Sequence, residues 1–149
     1  MFRLRISLQH LVLIVAGLAT AGTAWCYDPM IEDFKLGRAH FEFHGRIPKV
    51  MLNAHVILNF EQAKDWEGLA RYVLEDGYPL DVSDYYLGVA AEGMNLLLTA
   101  HIYYLRAFYK GLSPYSSCQR IGFDVCNGLH FPDDAWKAVV RVREKAAAQ

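Results

Sequence analysis

His40 and His44 flank Glu42 in the run His40-Phe41-Glu42-Phe43-His44. If that run is helical, the two imidazoles lie four apart on one face, a spacing that can chelate a transition metal. The run lacks the glutamate arrangement of a zinc protease motif, so two exposed or capping histidines are the plainer reading. Seven residues, Gln119 to Val125, separate Cys118 from Cys126. Redox pairs keep two residues between their cysteines, and zinc sites need further ligands close by, so this spacing favours a structural disulfide. Closing so short a loop contributes about 2–3 kcal/mol by constraining the unfolded chain. Cys126-Asn127-Gly128-Leu129-His130 has one cysteine where covalent haem attachment needs two. Ser113, Ser116 and Ser117 have no base beside them in sequence, and only folding could bring His55 or His101 to them. No phosphate-cradling glycine loop or nucleophile elbow is present. The reading is therefore of a protein that is not an enzyme and has no resident cofactor.

The compartment is set at the start of the chain. Arg3 and Arg5 precede an uncharged, mostly apolar stretch from Leu11 to Ala24 that relaxes into small residues. Basic, then apolar, then small is the layout of a secretory signal peptide over residues 1–24. The run is shorter than the roughly 20 apolar residues of a spanning helix, so an uncleaved anchor is the lesser alternative. Cleavage fits after Ala24 or after Ala21. Cys26 follows, where a lipoprotein cysteine would sit, but Trp25 occupies the place a lipobox reserves for a small residue. Cys26 is then free, lipidated or paired between chains. The expected location is periplasmic or extracellular, on a membrane only if Cys26 is lipidated or the leader stays. Removing Arg3 and Arg5 leaves 13 basic residues against 16 acidic ones, so the net charge moves from −1 to −3. That balance gives no footprint for nucleic acid.

The remaining 125 residues have a single domain's length, and 54% of the whole chain is hydrophobic, which is globular composition. Residues 25–48 are expected to form an irregular arm with a helical turn or two, anchored by Phe34, Leu36, Phe41 and Phe43. From Lys49 to about Gln62, apolar residues recur at helical offsets behind Pro48. A second helix over 65–75 carries Trp66, Leu69, Ala70, Val73 and Leu74 on one face, and Gly77 is expected to end it in the left-handed conformation. A third, capped by Asp81 or Ser83, runs to Glu92. A fourth, capped by Asn95, continues through Tyr109 and is apolar nearly all round, so neighbours must cover it on several sides. The last helix begins at Pro132-Asp133-Asp134 with an inward stripe of Trp136, Val139, Val140 and Arg143.

Gly88 and Ala100 lie 12 residues apart among small and aromatic residues, a spacing that lets two short antiparallel helices touch almost backbone to backbone, with tyrosines filling the remaining gaps. With Leu87, Ala91, Tyr104 and Ala107 around them, residues 81–114 resemble one tetratricopeptide repeat, and 49–80 resemble a degenerate preceding one. Asp84 departs from the pattern's large apolar position, and Pro114 comes two residues late. The resemblance implies an all-α fold of tetratricopeptide-like antiparallel helical hairpins over 49–149, with a C-terminal capping helix beside the one short-loop disulfide. It also implies protein–protein contact through a groove lined by Val82, Tyr85, Val89 and Glu92, with Tyr85 as aromatic anchor and Glu92 as acceptor for a peptide. Alternatively, Tyr85 and Val89 pack against the upstream hairpin. The functional expectation is an exported interaction or scaffolding module with an envelope or secreted protein as partner. The alternative is a periplasmic helical bundle holding a metal or small ligand through His40 and His44.

Overall fold

A computed structural model describes residues 27–39, 41, 52–114, 116 and 126–149. The leader, Cys26, His40, His44, Cys118 and Lys49 lie outside the described residues. The metal, lipid and disulfide expectations that need them therefore receive no structural account. The described chain is all-α: α1 Pro29–Lys35, α2 Ala54–Ala63, α3 Trp66–Asp76, α4 Asp81–Gly93, α5 Leu97–Gly111 and α6 Asp133–Ala147. Among the described residues no helix is long and apolar enough to cross a membrane.

Local chemistry explains most boundaries. The Asp28 carboxylate accepts the Met30 N–H at 3.0 Å and starts α1, with Pro29 at the first position, where no amide donor is needed. Leu52 and Asn53 are not helical; Asn53 caps α2 by accepting from the His55 amide at 2.9 Å. The helix expected to run from Lys49 thus begins at Ala54. Asp65 caps α3 through the Gly68 amide. Leu69, Ala70, Val73 and Leu74 are fully buried along its inner face, as the sequence period predicts. Burial of each Leu or Val there stabilises by about 1.5–3 kcal/mol.

Three local expectations fail for one shared reason: packing and a neighbouring bond override the isolated motif. Gly77 is extended (φ −80°) rather than left-handed, and its amide bonds to the Val73 carbonyl at 2.9 Å. Neither Asp81 nor Ser83 caps α4; both lie inside the helix and are buried. Asn95 does not cap α5, because it takes the left-handed turn conformation (φ 61°) that folds α5 back on α4.

The α4–α5 contact is the most extensive in the fold, followed by α5–α6 and α3–α4. α4 supplies two close approaches. A Cβ on Gly88 would stand 2.6 Å from the Tyr104 ring, and one on Gly93 would stand 2.2 Å from the Trp66 indole. Tyrosines are expected from the sequence to fill the gaps of this close approach, and at Gly88 the ring of Tyr104 does so. The arm joins the core as well. Phe34 stacks on Tyr103 at 5.6 Å, and the Tyr103 hydroxyl donates to the Phe34 carbonyl while accepting the Ala39 amide. Arg106 donates to the Gly37 carbonyl at 2.7 Å.

Gly88→Ala tests the ring contact. Helix propensity would favour alanine by about 1 kcal/mol, but overpacking against an immobile ring costs about 1–3 kcal/mol. We expect a lower urea midpoint with unchanged slope, and a smaller loss from Gly88→Ala in a Tyr104→Leu background than in the natural chain, because the clash is then gone.

Candidate functional site

The four positions that the repeat resemblance assigns to a groove are covered by the chain itself. Val82 is fully buried, and Val89 is partly buried against the core. Tyr85 sits in an aromatic cluster with Tyr86, Tyr104 and Phe131, its centroids 5.3–5.8 Å from theirs. Glu92 accepts from the Tyr104 hydroxyl at 2.9 Å, from the Arg141 Nη2 and Nε at 2.8 and 3.1 Å, and from Lys145. The helix that carries Arg141 and Lys145 is α6, so α6 and the Phe131 segment before it stand over the face expected to hold a peptide.

These contacts fix the ionisation of Glu92. Burial opposes its charge, but the bonds from Arg141, Lys145 and Tyr104 outweigh it and hold the carboxyl at about 2, against an ordinary 4.5. Burial, together with the same carboxylate, pushes the Tyr104 phenol upward. A carboxyl depressed in the folded state stabilises fully above its unfolded value, and that stability drains away as pH falls from 4.5 toward 2. The whole shift corresponds to about 3 kcal/mol. Arg141 and Lys145 are about half exposed, and solvent screening leaves about 1–2 kcal/mol. Glu92→Gln should therefore lower the urea midpoint at pH 7 and lose most of that difference at pH 2.

A second polar cluster lies at the start of α4. Asp81 accepts from the buried Ser116 hydroxyl at 2.7 Å. Asp84 faces the Lys110 ammonium at 2.6 Å, outside hydrogen-bond angles, so the attraction there is ionic. Burial raises the Asp84 pKa, and Lys110 pulls it back. Lys110 also donates to the Pro79 carbonyl, which ties the end of α5 to the turn before α4. Ser116 is held by a carboxylate, and neither His55 nor His101 serves it as a base, so this cluster reads as a strut. Removing one partner of a buried ion pair costs about 3–5 kcal/mol. Lys110→Met should approach the lower end of that range, since Lys110 is 41% exposed, and adding Asp84→Asn should restore most of the loss.

The open chemistry of the molecule lies on the outer side of α5 and α6. The inward stripe of α6 is Ala135, Ala138, Val139 and Val142. Trp136, Val140 and Arg143, expected inside with Val139, face outward. Small residues fit against α5 where an indole would not, so the helix is turned by about one position (~100°) from the sequence expectation. On α5, Leu98 is 76% exposed and Tyr109 66%. Leu98, His101, Leu105, Phe108 and Leu112 recur at offsets of three and four, one stripe of the helix. Phe108 packs at a tilt on Trp136 at 5.2 Å and edge-on against Tyr109 at 5.5 Å, joining the two outward stripes at one end. At the other end Leu97, Leu98 and His101 face Val142, Arg143, Ala146 and Ala147 across a pocket of about 430 Å³. The Nδ1 of His101 is buried without a partner. Among the described residues, no three His, Cys, Asp or Glu side chains could share a metal.

Sequence reasoning missed this surface because two stripes of α6 were both possible. The residue sizes on the 135/138/139/142 face were the available signal. No protein-family model, curated protein or solved structure matches the chain.

Proposed function

We propose that this chain is an exported helical interaction module that acts by binding another protein rather than by catalysis. Its α4–α5 pair plays the part of a tetratricopeptide-like hairpin. A Cys118–Cys126 bridge would brace the segment before α6, with residues 1–24 as the export signal. The partner docks on the outer face of α5 and α6, since the face that the repeat resemblance assigns to binding is filled by Phe131, Arg141 and Lys145.

One observation carries the reading. Leu98, Phe108, Tyr109, Leu112, Trp136 and Val140 form an apolar strip along two antiparallel helices, five of the six more than a third exposed. A contiguous exposed apolar strip on a folded domain marks an interaction surface, whereas apolar residues scattered singly would need no explanation. Each helix has 15 residues, so the strip can extend for about 20 Å. Trp136 and Tyr109 are the residue types that dominate binding energy at such surfaces.

The test is photo-crosslinking in the envelope of the native host. A crosslinker replacing Tyr109 or Val140 should yield one discrete adduct that disappears when Trp136→Ser is added. A crosslinker at Glu67, on α3, should yield none. Equal adducts from Glu67 and Tyr109 would argue against the strip, and an adduct of twice the chain mass would make the partner a second copy.

A further inference from the structure

We propose that the pocket between the start of α5 and the end of α6 binds a small apolar monocarboxylate. The proposal stands on the pocket's own groups and does not depend on a protein docking along the strip.

The pocket's volume, about 430 Å³, falls in the range of sites that enclose small organic ligands. Leu97, Leu98, Val142, Ala146 and Ala147 make its walls apolar, which suits an alkyl or aryl body. Two polar groups interrupt those walls. The His101 ring lines the pocket, while its Nδ1 is buried away from that space without a hydrogen-bond partner. Arg143 lines the same pocket, and its guanidinium has no ion-pair or hydrogen-bond partner among the described residues. The other outward cations of α6 are engaged: Lys137 with Asp134, and Arg141 and Lys145 with Glu92. Arg143 stands apart from them.

Charge sign and number follow from this set. Guanidinium is a permanent cation whose fork matches a carboxylate. The wall formed by Leu97 and Leu98 is the first turn of α5, which has no side-chain cap, so the positive end of that helix adds to the same field. One full cation lines the pocket, so one carboxylate is matched there and a second would find no partner. The physical competitor is an apolar cation, because α6 brings its negative end to the same wall.

The probes are octanoate, 1-octanol and octylamine, titrated calorimetrically into the full chain at neutral pH, with the His101 ring protons followed by NMR. We expect octanoate to bind about tenfold or more tighter than 1-octanol, as one charge-assisted contact allows. It should shift the His101 signals, and Arg143→Gln should bring it down to the 1-octanol level. Arg143 is exposed and unpaired, so this variant should keep its helical circular dichroism. Ala146→Trp, which fills the pocket from an exposed position, should abolish binding with the fold intact. The proposal is overturned if octylamine binds more tightly, if 1-octanol matches octanoate, or if Arg143→Gln changes nothing. Binding that survives Ala146→Trp would also overturn it, as would failure of all three probes to bind at millimolar concentration.

Discussion

Tyr104 ties the fold together. Its ring fills the space left open at Gly88, its hydroxyl donates to Glu92, and the Arg141 guanidinium lies 5.8 Å over its face. Three helices are thereby fixed by one side chain. α4 supplies the missing Cβ and the carboxylate, α5 the ring, and α6 the cations. The arrangement is a compensated burial. A phenol and a carboxylate removed from water would be costly alone, but each supplies what the other needs, and Arg141 and Lys145 neutralise the charge.

The same logic governs the other end of the α4–α5 pair. Asp81 and Asp84 lie in the first turn of α4, where the helix dipole favours them, yet both are buried. Ser116 and Lys110 reach them from the end of α5 and the segment beyond it. Buried carboxylates with a single satisfying geometry define position more than they add stability. Together with the Tyr104–Glu92 contacts they hold α4 against α5 at both ends.

Seating α6 on this pair has a consequence for function. Its small residues go inward so that Arg141 and Lys145 can reach Glu92, and Trp136, Val140 and Arg143 are left facing out. The face that a helical repeat would offer to a peptide is thus closed by the chain's own C-terminal segment. A new apolar strip, with a pocket at one end, is opened on the far side of α5. The proposed docking face and the packing of the core are linked through one choice of rotation for α6.

What the sequence determined by itself was the local and the periodic. Apolar residues at offsets of three and four pointed to an all-α fold, which the described residues have. The buried stripe Leu69, Ala70, Val73 and Leu74 was readable because each of its members faces a single neighbouring layer. Gly88 was readable too, since a glycine among helix formers needs a close approach to explain it. Only the tertiary structure decided which tyrosine filled the gap at Gly88, which α6 stripe turned inward, and whether Glu92 stayed open to a partner. Those outcomes depend on residues 12 to 53 positions apart in the chain, and neither period nor propensity records which distant side chain fills a gap or neutralises a charge.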